Sequence, residues 1–333
     1  MRIFINGFGR IGRSVLRALM LERARGGVRW PGLEVVGIND IAAPEMCAYL
    51  FEYDSVFGPW RGSVAQAPGA LVIDGQRIAL HRVDDLGQLD LSGVDLVLEC
   101  TGRADRADVA GQGLAAGAGR VLISGPSQAA EFTVVLGANE EGLDAQRIVS
   151  NASCTTNALA PLIRLLDDRW GVVTGSMTTI HCYTGSQPTV DAPAADFARS
   201  RAAALSMVPT TTSAGRLLDG VLPELAGRII AQAVRVPTAS VSAVDLAVMT
   251  RVPVTAEQVN AIFRAEAAGD GVIGATDQAL VSTDLRARRE SVIMACPETR
   301  VTEGGMLRVF GWYDNEWGFS NRMLDVACLM AEG

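Results

Sequence analysis

The sequence predicts an α/β protein in two parts: a doubly wound sheet-and-helix domain, then an α+β domain with a mixed or antiparallel sheet. Three observations predict it. Over residues 1–150 short β-branched runs alternate with helical stretches, the pattern of a parallel sheet covered on both faces. A Gly-rich turn joins the first strand directly to the first helix. After Ser150 the strands lengthen and long loops separate them.

In order, Arg2–Asn6 reads as a strand, followed by the turn 7–12 and a helix over about 11–25. The polar segment 22–32 reads as a surface loop leading to a second strand at 33–39. The alternating run 71–80 suits a β-ribbon that ends at His81. Residues 94–99 and 120–124 are further strands, the latter preceded by an Ala/Gly-rich helix candidate. A helix is expected over 155–169, with Leu159, Leu162, Leu165 and Leu166 on its apolar face. Strands at 172–181, 228–236, 241–250 and 306–313 follow, and Thr255 with Gln258 forms a capping box opening a helix to about 267. Residues 317–330 read as a terminal amphipathic helix. The expected domains are 1–152 and 153–315, with 316–333 packing back on the first.

Composition narrows the function. Charged residues are 20% and hydrophobic ones 49%, a globular balance with material for two cores. The net charge of -8 argues against sequence-independent nucleic-acid binding. All 29 basic residues are Arg, so no Schiff-base lysine exists. Six scattered cysteines, with no C-x-x-C pair, and two histidines argue against a structural metal. No apolar run approaches the ~20 residues that span a bilayer, and no signal-peptide pattern opens the chain. The expectation is a cytoplasmic protein without membrane or nucleic-acid partners.

Gly7-Phe-Gly9-Arg-Ile-Gly12 ends a strand and opens a helix, the context in which this spacing has meaning. Gly7 permits the tight turn, Gly9 lets backbone approach a pyrophosphate, and Gly12 allows close helix–strand packing. The helix start then offers free N–H groups and a positive dipole end. Asp40, at the end of the second strand, suits a ribose 2′-OH and would repel a 2′-phosphate, which favours NAD over NADP. Its distance from the glycines exceeds the usual ~20 residues, and the 22–32 loop absorbs the excess. An ordinary strand-end turn is the alternative reading of Asp40.

Ser153 is a good N-cap for the 155–169 helix, which puts Cys154 in its first turn. There the helix dipole favours thiolate. A partner imidazole must be His181 or His81. His81 reads as surface at the end of the ribbon, whereas His181 ends a strand and precedes the polar string Tyr183-Thr-Gly-Ser-Gln187.

The strings INGFGRIGR at the start, SNASCTTN around Cys154, TTIHCYTGSQ at His181, PTTT at 209–212, RVPT at 235–238 and WYDNEWG at 312–318 occur in that order. Together they resemble the phosphorylating glyceraldehyde-3-phosphate dehydrogenase family along essentially the whole chain. The resemblance implies that Cys154 attacks a phosphorylated aldehyde, that His181, with a pKa near 7, takes the hydroxyl proton as hydride leaves for NAD, and that inorganic phosphate cleaves the thioester. It implies a substrate-phosphate site at Thr184, Ser186 and Arg235. A second anion site falls on Ser153, Thr155, Arg199 and Thr212, with the Ser213 N–H beside them. Cofactor contacts are implied for Arg10, Ile11, Thr101, Ser124 and Asn315, and a homotetramer is implied with the loop 185–206 reaching a neighbour.

Some positions depart from the family pattern. Ser213 stands where Gly is usual, which raises the question of a positive φ. Glu52, Phe57 and Gly125 also differ from frequent choices. The readings left open are an erythrose-4-phosphate dehydrogenase with the same Cys and His, and a non-catalytic NAD-binding paralogue.

Overall fold

Ile3, Phe4 and Ile5 are almost wholly buried, so the first strand lies inside the sheet with apolar layers on both sides. The computed structural model describes residues 1–27 and 29–332. Val28, in the expected surface loop, and Gly333, at the end of the expected terminal helix, lie outside the described residues. Met1–Val134, Glu141–Ala152 and Ser320–Gly333 form one compact unit, and Val135–Glu140 with Ser153–Phe319 form another. Among the described residues no helix is long and apolar enough to cross a membrane.

The first unit runs β1 (Arg2–Asn6), α1 (Arg10–Ala24), β2 (Glu34–Asn39), α2 (Pro44–Glu52), β3 (Val64–Ala67), β4 (Ala70–Ile73) and β5 (Gln76–His81). It continues through β6 (Leu96–Glu99), the short helices α3 (Ala107–Ala110) and α4 (Gln112–Ala115), β7 (Arg120–Ile123), β8 (Phe132–Thr133) and β9 (Ile148–Ser150). The sheet order is β3-β4-β5-β2-β1-β6-β7-β9-β8. From β5 to β8 every pairing is parallel, as the alternating pattern predicts.

The ribbon β3–β4–β5 is antiparallel, and it extends the main sheet instead of standing apart. Two two-residue turns cause this: Pro68–Gly69, and Asp74–Gly75, in which both residues take positive φ (49° and 82°) as a type I′ hairpin requires. The sheet is therefore mixed, not purely parallel. His81 is half-buried with its ring 5.7 Å from that of Phe4, so it is not the plain surface residue expected.

The second unit begins with α5 (Cys154–Trp170), β10 (Val172–Cys182), β11 (Val208–Thr210), α6 (Ala214–Val221) and β12 (Ile229–Val236). It goes on with β13 (Ser242–Thr250), α7 (Ala256–Ala267), β14 (Ile273–Thr276), β15 (Val292–Ala295), β16 (Arg300–Val301) and β17 (Met306–Tyr313). Its sheet runs β11-β12-β10-β13-β17-β15-β14, with β16 on β17. It is mixed, as expected: β10–β12 and β14–β15 pair in parallel and the other pairs are antiparallel.

Leu159, Leu162, Ile163 and Leu166 are fully buried on α5, which packs against β10, β13 and β15. Each such side chain contributes ~1.5–3 kcal/mol when removed from water. The capping box at Thr255 and Gln258 forms as read from sequence.

The last helix, α8 (Trp317–Glu332), returns to the first unit from Ser320 onward. There the carboxylate of Asp325 accepts from Arg29 and from the Trp30 indole N–H at 2.6 Å. It also pairs with Arg322, whose side chain is fully buried, at 2.6 Å.

Candidate active site

In the first unit, chemistry gathers at the carboxyl ends of the parallel strands. Gly7 has φ +92°, and a Cβ there would lie 2.7 Å from the Cys100–Thr101 peptide. A Cβ on Gly12 would lie 2.2 Å from the Gly7 carbonyl oxygen. Both glycines are therefore steric requirements of the turn. At Gly9 nothing stands within 4 Å, so a side chain there would fill the space above the loop.

That space belongs to a cavity of about 350 Å³ lined by Gly7, Gly9, Asp40, Ile41, Thr101 and Arg103, among others. Asp40 accepts hydrogen bonds from the N–H groups of Phe8 (2.6 Å) and Ala42 (2.8 Å), tying the glycine turn to the end of β2. An open glycine at a helix start, with a carboxylate beside it, fits the pyrophosphate and ribose of a dinucleotide.

Of the residues expected to hold the cofactor, Gly7, Gly9, Asp40 and Thr101 line this cavity. Arg10, Ile11 and Gly12 form the first turn of α1. The Arg10 guanidinium pairs with Asp54 and lies 5.4 Å over the Phe57 ring, so the Phe57 departure supplies an aromatic face for it. Ser124 follows β7 and gives its N–H to the Glu99 carbonyl. Gly125 has open space around it, and its carbonyl accepts the Ser150 hydroxyl. Glu52 offers its backbone carbonyl to Trp60 and Arg17.

In the second unit Ser153 caps α5, its Oγ accepting from the Thr156 N–H at 3.1 Å, and Cys154 is the first helical residue. Ala152, just ahead, takes φ +54°, a strained turn for a residue with a Cβ. His181 nearly ends β10, where parallel pairing sets it opposite Arg235 of β12. Cys154 Sγ lies 3.6 Å from His181 Nε2.

His181 Nδ1 lies 2.7 Å from the Cys182 carbonyl oxygen. A carbonyl can only accept, so a proton on Nδ1 satisfies this contact and leaves the Nε2 lone pair for sulfur. Arg235 Nη1 also donates to that carbonyl at 3.1 Å and stands 3.0 Å from Nδ1. Tyr313 sets its ring edge-on to His181 at 6.0 Å, and its hydroxyl is held by Thr179 (2.7 Å) and Thr155 (2.9 Å).

The electrostatics correct two expectations. Burial, with the Arg235 charge second, pushes His181 down to about 4 instead of leaving it near 7. Burial also pushes the Cys154 thiol up although the residue keeps some exposure, while Arg235 and hydrogen bonds from Thr155 pull the other way. Burial thus opposes the helix terminus at Cys154 and favours the neutral imidazole at His181.

Thr184 Oγ1 and Ser186 Oγ are 3.0 Å apart. Arg199 donates to the Thr210 hydroxyl at 2.6 Å and to the Thr211 carbonyl at 3.1 Å, so it braces the 210–212 loop. The Thr212 hydroxyl accepts from the Ala214 N–H. The Ser153 hydroxyl bonds Thr156, and the Thr155 hydroxyl turns inward to Tyr313. Ser213 has φ −74°, ordinary helical backbone, so the departure from Gly brings no strain. Asn315 is buried, its Oδ1 accepting from Cys182 Sγ (3.1 Å) and Ser242 Oγ (3.4 Å). Among the described residues no cysteine is in a disulfide, and no three His, Cys, Asp or Glu side chains gather as a metal site.

Sequence reasoning missed Asn6 and Asn39 in the cavity lining with Glu99 behind them, and Tyr313, Thr179 and Ser242 around Cys154 and Cys182. A signal existed for the first three, since each is a polar residue ending an otherwise apolar strand. For the others the register of distant strands supplies the contact, and no local pattern announces it.

Two family models match the chain. The one described as glyceraldehyde 3-phosphate dehydrogenase, NAD binding domain, covers residues 1–107, and the corresponding C-terminal domain covers 153–315. The glyceraldehyde-3-phosphate dehydrogenase of Xanthobacter flavus is 45% identical over 336 residues, covering 99% of this chain and 98% of that protein. Its namesake from Pseudomonas aeruginosa is 46% identical over 333 residues with the same coverage. That from Geobacillus stearothermophilus is 41% identical over 336 residues, again with 99% and 98% covered.

Proposed function

The chain belongs to the glyceraldehyde-3-phosphate dehydrogenase family, and from that premise we propose that it oxidises D-glyceraldehyde 3-phosphate to 1,3-bisphosphoglycerate, with NAD and inorganic phosphate, through Cys154 and His181. The observation that carries this is the 3.6 Å approach of Sγ to His181 Nε2. Sulfur adds to the aldehyde carbon as its proton passes to Nε2, and the oxyanion then takes that proton to give a thiohemiacetal. The N–H of Cys154, in the first turn of α5, is positioned to stabilise the oxyanion. NAD, when bound, supplies the hydride acceptor. Nε2 withdraws the hydroxyl proton as the carbonyl re-forms, leaving a thioester on Sγ. Phosphate oxygen attacks that carbonyl and the Cys154 thiolate leaves.

Gly7, Gly9, Arg10, Ile11, Gly12, Asp40, Thr101 and Ser124 would hold the cofactor, with Asn315 directed to its carboxamide. Arg235, with Thr184 and Ser186, is assigned the substrate phosphate. Arg199, with Ser153, Thr155, Thr212 and the Ser213 N–H, is assigned the attacking phosphate. A guanidinium with hydroxyl donors is a sound anion trap in both cases. The near-complete exposure of Phe197 and Leu205 supports assembly as a homotetramer in which a neighbouring copy covers this loop.

The test is NADH formation with glyceraldehyde 3-phosphate, NAD and phosphate, run beside erythrose 4-phosphate. Phosphate-dependent turnover of the triose is expected. Preference for the tetrose would reassign the substrate, and silence on both with NAD still bound would leave a binding protein.

A further inference from the structure

A line of buried polar side chains spans three strands at the dinucleotide cavity, with Asn6 and Asn39 in its lining and Glu99 behind them. Asn39, at the end of β2, closes a ring with Val83, its Oδ1 accepting the Val83 N–H (2.9 Å) and its Nδ2 donating to the Val83 carbonyl (3.0 Å). The same Nδ2 donates to Asn6 Oδ1 at the end of β1 (2.8 Å). Asn6, its oxygen so engaged, gives its own Nδ2 hydrogen to Glu99 Oε2 at the end of β6 (2.5 Å). From the other side the Thr101 N–H (2.9 Å) and hydroxyl both donate to Glu99 Oε1. Asn6, Asn39 and Glu99 are each less than 5% exposed.

The Val83 backbone fixes the polarity of this line from Asn39 through Asn6. Asn6 can offer β6 only a donor, and Thr101 offers two more. The residue between them must accept from the Asn6 amide and the Thr101 N–H, one on each side, as a carboxylate does; burial raises the Glu99 carboxyl, while the bonds from Thr101 and Asn6 oppose that shift. The peptide it holds, Cys100–Thr101, is the one against which the Gly7 turn closes, with room for no Cβ. One carboxylate thus fixes the height of the glycine turn, the Thr101 wall and, through Asn6, the end of β2 that carries Asp40.

We propose that Glu99 is the positioning residue of the dinucleotide site: it lies behind the cavity lining, touches no ligand, and sets cofactor affinity through Thr101 and Asn6. The inference rests on NAD occupying this cavity. In Glu99→Gln the new amide must turn its NH₂ toward either the Asn6 NH₂ or the Thr101 donors, so one buried pair becomes donor against donor. Asn6→Asp, beside an unchanged Glu99, sets acceptor against acceptor. Made together, Asn6→Asp and Glu99→Gln restore every bond with the same atoms and net charge. The carboxylate now on β1 accepts from Asn39 and from the amide now on β6, whose oxygen accepts from Thr101.

The experiment is NAD titration by calorimetry, with steady-state kinetics and melting curves, on wild type, Glu99→Gln, Asn6→Asp and the pair. Each single variant is expected to weaken NAD binding by about tenfold or more. The KM for NAD should rise with it, while kcat and the KM for the aldehyde stay unchanged; a merely structural role would lower melting without this split. The double variant should return to within about threefold of wild type. If Glu99→Gln does not fold, recovery of fold and affinity in the double variant decides for the proposal. NAD affinity unchanged in Glu99→Gln, or a double variant no better than its weaker parent, would overturn it. A wild type that binds no NAD would instead sink the cofactor assignment itself.

Discussion

His181 stands between a thiol and a guanidinium, and its burial decides which protonation state the fold tolerates. The unfolded residue takes up a proton near 6.5, the folded one only near 4. Between those values the unfolded chain binds the extra proton, so stability is full above about 6.5 and falls as pH drops toward 4. The loss is roughly 3 kcal/mol and levels off below that. Denaturant titrations of wild type and His181→Asn from pH 7 to pH 4 should show the slope in the first and lose this part of it in the second. Replacing Arg235 by Gln removes the second cause of the depression, so the His181 imidazole signal should titrate at higher pH. Cys154→Ser should retain NAD affinity and lose at least ~10³-fold in turnover, and retained oxidation would mean another nucleophile. The meeting of Cys154 with His181 was legible because Ser153 caps a helix and a polar string follows His181. Their shifted pKa values were not, because burial and the facing Arg235 arise from pairing β10 with β12, 54 residues apart at this contact.

Among the elements, the strand–turn–helix at Gly7–Gly12 makes the sharpest contrast. Gly12→Ala drives a Cβ into the Gly7 carbonyl, so melting and NAD binding should both suffer, the fold by about 1–3 kcal/mol. Gly9→Ala meets no atom of the chain. It should leave the melting temperature unchanged and weaken NAD about tenfold or more, since its methyl occupies the space the pyrophosphate needs. Equal effects of the two would undo the assignment of Gly9. This turn was legible because glycine spacing records steric need directly. The ribbon at 71–80 was legible as β from its alternation, but its joining to the main sheet depends on β5 pairing with β2, which alternation does not encode. Strands as short as β8, β9 and β16 carry too few residues for any period to emerge.

At the scale of the molecule, the two-part division was readable from the change of pattern near Ser150, and the return of the last helix shows what secures the first part. Arg322 is fully buried and answered by Asp325, which also holds Arg29 and Trp30. Asp325→Ala should therefore cost about 3–5 kcal/mol, the range for stranding a buried charge, and chemical denaturation monitored by the Trp residues would read it. A loss below about 1 kcal/mol would mean that water already reaches Arg322. Burial raises the Asp325 carboxyl, but Arg322, Arg29 and Trp30 together hold it below the usual carboxylate range, so this contribution fades as the solution is acidified. The same helix imposes an order on biosynthesis. The opening 134 residues cannot complete their contacts with Arg322 and Asp325 until the residues after Ser320 have been made, by which point all of 153–319 has been translated. The unit that is begun first is thus the one that waits on a later-made helix, and a chain cut before Ser320 would lack the carboxylate that holds Arg29 and Trp30.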